Sequence, residues 1–385
     1  MIAPRRIAAA CILLALPWTA PRARADGALG ARAFHLESHV VQRVQAVLTN
    51  HFYLPDVTDP QWVVYAPDAP VTAGQEDVSS SLRLPGRACD VVDWTEGSRL
   101  ARTLLLARFK DAPQLPLDAH AQTGQAAMIG TSLDTQAVYT ATLLATRLAP
   151  GPPARPVAPL SEAQQADFTR PTETIDFDAP SFQNWLGAHG LRRAPGERDL
   201  DFARRVFDFI RAHYTYKYEL AQDRRASAVC RDAGSDCGGL SQLFVATLRA
   251  GGVPAVALCG RIAQTSLGET SLGNCHVRSQ FWARGIGWVP VEMSGAVSDK
   301  TSPASTYFGR SDGDFLTLSL GNDQRLDTGR GMIDQRGLQG IVFWVWGAPG
   351  STDALTYSSD WIVHPLPLDQ SAPPQAKLAK DAPAS

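Results

Sequence analysis

The sequence predicts an α+β fold in which helices come first and an antiparallel sheet follows. Between about residues 197 and 214, apolar residues recur three or four positions apart, which is typical of an amphipathic helix. A second helix is predicted from Cys237 to Ala250, because Gly251-Gly252 follows it. Strand-like runs then occur at residues 255–262, 275–283, 288–292, 315–320 and 341–346. Their short connections favour hairpins.

The chain before these helices has a different pattern, that of a strand-rich domain spanning residues 26–148. One amphipathic stretch within it, near Val40–Leu48, predicts a helix. Residues 149–165 are expected to be a linker, because residues 149–159 hold five prolines in eleven positions. The second domain is predicted to span residues 166–364. Residues 365–385, rich in Pro, Ala, Gln and Lys, are predicted to be a disordered tail.

The first 25 residues have the layout of a cleavable signal peptide. Two arginines precede an apolar run over residues 7–16, and Ala23-Arg24-Ala25 precedes Asp26. The run is shorter than the roughly 20 residues needed to cross a bilayer, and no later segment is long and apolar enough to do so. We therefore expect an exported protein, periplasmic or secreted, cleaved near Ala25.

Charge and composition exclude some functions. The formal charge of the 385 residues is −2, and removal of residues 1–25 makes it about −6. A mildly acidic chain has no electrostatic footprint for nucleic acid or anionic lipid. An apolar content of 44% is that of a globular protein. We expect no nucleic-acid partner and no stable membrane span, while the oligomeric state stays open.

Cleavage would leave five cysteines in an oxidising compartment, where disulfides are common. An odd number leaves at least one thiol free. Cys237 is expected to be that thiol, because its surroundings suit a nucleophile. The other four permit three pairings, among which a cross-strand Cys259–Cys275 bridge is considered; these four are Cys89, Cys230, Cys259 and Cys275.

Cys237 stands where the chain enters its second helix, with Ser235 or Asp236 available as the N-cap. Free backbone N–H groups and the partial positive charge of a helix start favour a thiolate over a thiol. Gly238 and Gly239 follow, and their missing side chains would let a substrate carbonyl approach the sulfur closely. The pattern predicts a cysteine nucleophile whose own N–H is one donor of an oxyanion hole.

A base and its orienting group are predicted further along the chain, at His276 and Glu292. These residues fall on two strands joined by a turn at residues 284–287, so they are opposite or diagonal in a hairpin. Side chains alternate along a strand, so Arg278 shares the face of His276, whereas Cys275 points away. Opposed Cβ atoms are about 4.5 to 5.5 Å apart, close enough for the carboxylate to accept a hydrogen bond from the imidazole.

Three other kinds of site are weaker interpretations. A zinc site has enough ligands but lacks the closely paired cysteines of structural zinc modules; these ligands are Cys230, Cys237, Cys259, Cys275 and His276. The Gly-x-Ser-x-Gly motif of many serine hydrolases is absent, as is a glycine-rich phosphate loop with its following lysine. We therefore predict neither a metal nor a cofactor.

Three segments in order resemble the core of the transglutaminase-like superfamily. They are residues 236–240 with 248–255, then Cys275-His276-Val277, then Gly287-Trp288-Val289-Pro290-Val291-Glu292. The resemblance extends over roughly residues 197–320. It implies a papain-like α+β fold in which a cysteine at a helix start faces a histidine and an acid on adjacent strands. Carried over by motif, Cys237 is the nucleophile, His276 the base, and Glu292 stands where the family usually has Asp.

The remaining site residues and the function are expectations built on this constellation. Trp288 is expected either to be a core aromatic residue or to pack near the histidine and the substrate groove. A second oxyanion donor is needed, and Tyr214, Tyr216 or Gln264 could supply it. The expected function is hydrolysis of amide bonds in peptides or proteins through a thioester. Transfer of the acyl group to an amine, or a scaffold without turnover, are the alternatives.

Overall fold

The computed structural model describes residues 32–55, 60–95, 102–110, 130–268, 273–347 and 354–368. The predicted signal peptide lies outside the described residues, and so do residues 369–385 of the predicted tail. The tail was expected to begin at residue 365, but a strand continues to Leu366 because it is paired with another strand there.

Two groups of strands and six helices follow one another along the described chain. The strands before the helices are β1 (Phe34–Pro55), β2 (Gln61–Pro67), β3 (Gln75–Arg83), β4 (Val91–Thr95), β5 (Thr103–Lys110) and β6 (Gly130–Pro150). The helices are α1 (Glu162–Thr169), α2 (Pro180–Ala188), α3 (Asp199–His213), α4 (Ala226–Asp232), α5 (Cys237–Ala250) and α6 (Met293–Ser298).

The later strands begin within the helical region and continue to the end of the described chain. They are β7 (Thr215–Tyr216), β8 (Gly234–Ser235), β9 (Ala255–Ile262), β10 (Cys275–Ala283), β11 (Gly287–Val291), β12 (Arg310–Asp312), β13 (Phe315–Leu320), β14 (Asp323–Asp327), β15 (Met332–Arg336), β16 (Val342–Trp346) and β17 (Thr356–Leu366). The two helices predicted between residues 197 and 250 and the strands predicted from residue 255 to residue 320 agree with these elements, and the α+β fold is confirmed.

Two sheets organise the amino-terminal part. One has the order β12-β6-β1-β17, with β3 also paired to β6, and the other has the order β16-β2-β5-β4. Strands β1 and β6 pair antiparallel over almost their whole length, from Phe34 opposite Pro150 to Pro55 opposite Gly130. Trp62, Tyr139 and Trp361 are fully buried in the apolar core associated with these sheets.

The helix predicted near Val40–Leu48 is wrong, because these residues lie in strand β1. Val44, Ala46 and Leu48 are buried at every second position, which is the period of a strand. Valines and leucines spaced three or four apart fit a helix equally well in a short window. Pairing with β6 on one side and β17 on the other determines the outcome.

Strands from the end of the chain complete the amino-terminal sheets. Strand β17 pairs with β1, β16 with β2, and β12 with β6. The two β-rich sheets therefore contain strands from both sides of the proline-rich segment. The predicted division stays a prediction: a domain at 26–148, a linker at 149–165 and a domain at 166–364. Strands β12, β16 and β17 of the second predicted domain pair with strands of the first.

The helices cover a further antiparallel sheet, of order β11-β10-β9-β13. Helix α5 packs on β9 and β10, and helices α3, α4 and α6 pack around α5. Phe244 of α5 meets Phe281 of β10 edge to face at 6.2 Å, and both rings are buried. In the described part of the chain, no helix is both long and apolar enough to cross a membrane. This packing places the start of α5 beside the first residues of β10.

Candidate active site

Cys237 is the first residue of α5 and is partly exposed, whereas Gly238 after it is buried. The preceding residues form β8, which pairs in parallel with β7 and so fixes the entry of the chain into the helix. Asp236 is the N-cap, and its side chain accepts a 3.1 Å hydrogen bond from the N–H of Gly239. The N–H groups of Cys237 and Gly238 have no acceptor within their own helix, so they face outward at its positive end.

The acidic residue next to the thiol is neutralised by an arginine. Arg224 donates from Nε to Asp236 Oδ2 at 2.8 Å, and its Nη2 lies 2.7 Å from the same oxygen. The same guanidinium also donates to the main-chain carbonyls of residues 219, 220 and 222. Because Asp236 is almost fully buried, this ion pair offsets a negative charge that would otherwise disfavour a thiolate at Cys237.

Gly239 is required by packing. A Cβ atom there would lie 2.0 Å from Ser235 Oγ and 3.0 Å from a methyl group of Val229. At Gly238 a Cβ would meet Asp236 Oδ1 at 3.3 Å and Arg224 Cδ at 3.4 Å. The sequence suggested that both glycines leave room for a substrate, whereas the described contacts show that Gly239 lets the first helical turn pack against β8.

His276 and Glu292 are brought into direct contact. His276 Nε2 lies 2.7 Å from Glu292 Oε2, and both side chains are largely buried. The register pairs Ser279 with Val291, which makes Glu292 the residue just beyond the last paired position and diagonal to His276. Since a carboxylate accepts, Nε2 donates the hydrogen bond and Nδ1 is the nitrogen left for Cys237.

Glu292 is also the N-cap of α6, which sequence reasoning missed. Its Oε1 atom accepts from Ser294 Oγ at 2.7 Å and from the N–H of Gly295 at 3.3 Å. The Oε2 atom accepts from Arg278 Nε at 2.9 Å in addition to His276. The longer side chain of Glu thus reaches a helix start and a strand at the same time. This arrangement accommodates the extra methylene relative to the Asp that the family usually has.

Arg278 is a second residue whose part in the site was missed. Its guanidinium links Glu292 to Asp314, whose two oxygens accept at 2.8 and 3.2 Å. It also lies over the ring of Phe315, 4.9 Å from the centroid. Arg278 is two residues from His276 on the same strand face, and that position was the one available signal in the sequence.

Gln339 is a third contributor that the sequence did not indicate. Its Nε2 donates to the main-chain carbonyl of His276 at 2.7 Å. Gln339 lies between β15 and β16, so a segment far along the chain holds the backbone that carries the imidazole.

The electrostatics of the pair favour charged groups. Burial alone would raise the pKa of Glu292, but the charge and hydrogen bond of His276, with help from Arg278, lower it to about 2. Burial alone would lower the pKa of His276, but hydrogen bonds with Cys237 and Glu292 outweigh it and raise the value to about 10. The imidazole therefore carries its proton at neutral pH, between a carboxylate and a thiol group.

The three candidates for the second oxyanion donor differ in exposure and in hydrogen-bond partners. Tyr216 is 46% exposed, and burial together with the neighbouring Cys237 raises the pKa of its hydroxyl. Tyr214 is buried and donates to the carbonyl of Cys230 at 3.0 Å. Gln264 is bonded to Asn274. Among these three candidates, Tyr216 lies on β7 opposite Ser235, two residues before Cys237.

Trp288 is not brought to the thiol. Its ring lies edge to face with Phe168 at 5.0 Å and with Trp282 at 5.6 Å. It is opposite Trp282 near the turn of the hairpin, four residues before Glu292, or about 13 Å along a strand. Trp288 packs in the core, which is one of the two placements expected for it.

The expected disulfides are not formed. All five cysteines in the described part of the chain are free thiols: Cys89, Cys230, Cys237, Cys259 and Cys275. The register of β9 and β10 sets Cys259 opposite Val277 and Cys275 opposite Arg261, so the pairing considered from sequence is out of step by two residues. Cys259 instead packs against Cys237, and burial raises the pKa of Cys259 to about 12. In the described residues, no group of three or more His, Cys, Asp or Glu side chains is arranged to hold a metal ion.

A sequence model described as the Transglutaminase-like superfamily matches residues 190–293. Residues 190–293 form a transglutaminase-like core. This transglutaminase-like core contains Cys237, His276 and Glu292. No curated protein matches the chain.

Three solved structures are similar to the chain to different degrees. A "putative cysteine protease" from Cytophaga hutchinsonii is similar with a TM-score of 0.51 and 11% identity, over 88% of this chain and 95% of that chain. The periplasmic domain of TgpA from Pseudomonas aeruginosa gives a TM-score of 0.33 and 9% identity, over 64% of this chain and 88% of that chain. A "putative protease" from Parabacteroides distasonis gives a TM-score of 0.24 and 13% identity, over 63% of this chain and 45% of that chain. The Cytophaga likeness extends beyond the transglutaminase-like core into the β-rich part, and it concerns the fold alone.

Proposed function

We propose that this chain is a cysteine-dependent amide-bond hydrolase of the transglutaminase-like type, acting on peptides or proteins. One observation carries the proposal: His276 donates to Glu292 at 2.7 Å, and its pKa is raised by Cys237 as well as by Glu292, with Cys237 at the start of a helix. Cys237 is the proposed nucleophile, His276 the base and acid, and Glu292 the group that orients the imidazole.

Acylation begins with attack of the Cys237 thiolate on the carbonyl carbon of the substrate amide. The carbonyl π electrons move to oxygen, and the imidazolium of His276 then gives its proton to the departing nitrogen as the C–N bond breaks. An acyl thioester on Cys237 and a free amine result. The raised pKa of His276 keeps the proton available for this step at neutral pH.

The developing oxyanion is proposed to be stabilised by main-chain and side-chain donors. The outward N–H of Cys237 is the first donor, strengthened by the positive end of α5. The hydroxyl of Tyr216 is the proposed second donor, because β7 pairs with β8 immediately before the nucleophile. Removal of one oxyanion donor in other hydrolases costs about 10² to 10³ in kcat.

Deacylation decides between hydrolysis and transamidation. In hydrolysis, neutral His276 takes a proton from water, the oxygen attacks the thioester carbon, and the thiolate leaves to give a carboxylic acid. In transamidation an amine replaces water and a new amide forms. Both reactions use the same three residues. Exclusion of water from the thioester favours transamidation, and access of water favours hydrolysis. Hydrolysis is proposed because Cys237 is partly exposed, so water has access.

The expectation of a scaffold without turnover rested on Glu292 in place of Asp. The contact of Glu292 with His276 supports turnover over this alternative, because the carboxylate reaches the imidazole at hydrogen-bonding distance. Export remains part of the proposal and rests on the sequence of residues 1–25. Fractionation of cells and amino-terminal sequencing of the mature protein test it, with cleavage near Ala25 expected.

The chemical test uses protein beginning at Asp26. Wild type, Cys237→Ala and Cys89→Ala are compared for hydrolysis of an unstructured protein substrate and for incorporation of a fluorescent primary amine. Wild type and Cys89→Ala are expected to hydrolyse the substrate, and Cys237→Ala is expected to be inactive. Cys89 is a suitable control, because it is a partly buried thiol packed against the apolar core of the amino-terminal sheets.

Alkylation of the protein by iodoacetamide at pH 7, followed by mass spectrometry, reports the nucleophile directly. Cys237 is expected to react first among the five thiols. Absence of both reactions together with slow alkylation of Cys237 would contradict the enzyme proposal. Amine incorporation that exceeds hydrolysis at millimolar amine would replace it by the transamidase.

A further inference from the structure

A cavity of about 380 Å³ lies between the end of α1, the end of α5 and the β14–β15 hairpin. Its volume is at the lower end of the roughly 300 to 1,000 Å³ that is usual for small-ligand sites. Cys237, His276 and Glu292 do not line it, so it is distinct from the candidate active site. The side chains of its wall are mostly charged or amide groups, and three of them lack the partners that burial normally requires.

Arg249 is the first of these groups. It lines the cavity and is only 4% exposed. Its Nε donates to the carbonyl of Ala255 and its Nη1 to the carbonyl of Arg170, each at 2.8 Å. Within the described residues, no carboxylate lies within ion-pair distance of Arg249, although a buried charge without a counter-ion is costly. Burial and the neighbouring Arg170 lower the pKa of Arg249, and a bound anion would relieve both effects.

Two buried acceptors line the same cavity. Gln324 is 1% exposed, and its Nε2 donates to Ser319, but its Oε1 receives no hydrogen bond in the described part of the chain. Asp167 is 7% exposed, and its Oδ1 likewise has no hydrogen-bond donor, with Arg170 Nε at 3.6 Å. A buried acceptor left without a donor is destabilising. Both positions therefore suit a ligand that brings N–H groups.

The other charges on the wall are already matched within the protein. Arg336 pairs with Glu173, and Arg325 pairs with Asp334. Asp323 accepts from the hydroxyl groups of two threonines at positions 172 and 174. Arg102 donates to the main-chain carbonyls of Leu320 and Asp323, and Arg170 is the ion-pair neighbour of Asp167. The groups that keep unused hydrogen-bonding capacity or lack a close counter-ion are thus one buried cation and two buried acceptors, which is the complement of a molecule with a carboxylate and N–H donors.

We propose that this cavity binds a free amino acid or short peptide, with its carboxylate on Arg249 and its ammonium or amide N–H groups on Gln324 and Asp167. The site goes beyond the proposed reaction and does not depend on it. It lies close to the nucleophile nevertheless, because Cys259 packs against Cys237 and its Sγ lies 3.4 Å from the carbonyl of Gly321, which lines the cavity.

Binding is tested on the full mature chain carrying Cys237→Ala, so that no turnover takes place and failure of the proposed reaction does not affect the result. Isothermal titration compares L-alanyl-L-alanine with its C-terminal amide and with its N-acetyl form. The free dipeptide is expected to bind, and each blocked form is expected to bind at least about tenfold more weakly. The C-terminal amide of the dipeptide tests the contact with Arg249 by changing the ligand. Arg249 itself is left unchanged, because it also donates to two main-chain carbonyls.

A variant probes the acceptor side. Gln324→Leu is expected to weaken binding of the free dipeptide at least about fivefold while leaving the N-acetyl form unchanged. Gln61→Leu, on an exposed position of β2, is the matched control and is expected to bind as the parent does. Absence of binding at about 10 mM free dipeptide, equal affinity for the amide, or binding that is insensitive to Gln324→Leu would overturn the proposal.

Discussion

Arg278 and Glu292 are joined by a 2.9 Å hydrogen bond to the same carboxylate oxygen that accepts from His276 Nε2. The other oxygen of Glu292 is occupied by Ser294 and by the N–H of Gly295. Four donors on one carboxylate leave it little freedom to rotate, and hydrogen bonds to an ionised group are the strong ones. The imidazole is therefore oriented by an acid that is itself fixed by a strand and a helix start.

Glu292→Gln is expected to lower kcat/KM by about 10² to 10⁴ while leaving the fold intact. The amide keeps nearly the same size, but it removes the charge that stabilises the imidazolium of His276. Rates of hydrolysis measured under kcat/KM conditions check this prediction. Glu162→Gln, at the exposed start of α1, is the control and should retain full activity. A Glu292→Gln protein as active as wild type would remove Glu292 from the mechanism.

Arg278 is expected to act as a positioning residue. Its charge helps to lower the pKa of Glu292, so Arg278→Met should raise that pKa and shift the acidic limb of the pH–rate profile to higher pH. Arg278→Lys keeps the charge but not the forked geometry, and partial recovery of the profile is expected.

The control for Arg278 is Arg310→Met, which removes an exposed arginine bonded to Asp312. It should leave the profile unchanged. If Arg278→Met lowers thermal stability but leaves the acidic limb in place, Arg278 is a structural residue without influence on the Glu292–His276 pair.

The sequence predicted the transglutaminase-like core well because its signals are local. A glycine pair ends α5, and alternating residues with a short turn define β10 and β11, so the element bounds follow from nearby residues. The diagonal placement of His276 and Glu292 follows from hairpin geometry alone. Their catalytic roles stay predictions.

The parts that escaped prediction depend on distant pairing. Strand β1 takes its form from β6 and β17, which are far away in sequence, so its valines fitted a helix as well. Asp314 and Gln339 join the site through contacts across 36 and 63 residues, which no local spacing reveals. The absence of a bond between Cys259 and Cys275 is likewise set by strand register.

The stability of the site is expected to depend on pH in two directions. The pKa of Glu292 is lowered from 4.5 to about 2, so its contribution is present above pH 4.5 and is lost as the pH falls toward 2. The pKa of His276 is raised from 6.5 to about 10, so its contribution is full below pH 6.5 and is lost as the pH rises through 10. The loss of unfolding free energy caused by Glu292→Gln should therefore be largest between pH 4.5 and 6.5. Urea unfolding across the pH range checks this, and a constant difference from pH 3 to pH 10 would contradict it.

Gly239→Ala is expected to destabilise the protein by about 1 to 3 kcal/mol or more, because its Cβ would lie 2.0 Å from Ser235 Oγ. The added Cβ atom would also lie 2.7 Å from Ser235 Cβ, so rotation of the buried hydroxyl does not relieve the clash. The start of α5 would shift and carry Cys237 with it. Activity should then fall more than the unfolding free energy alone explains, because displacement of a reacting group by about 1 Å can cost about 10² in rate. Gly273→Ala is the matched control, since an added Cβ there meets nothing within 4 Å. Chemical denaturation and hydrolysis assays on both variants decide the matter: equal stability of Gly239→Ala and wild type would show that the first turn of α5 tolerates the methyl group.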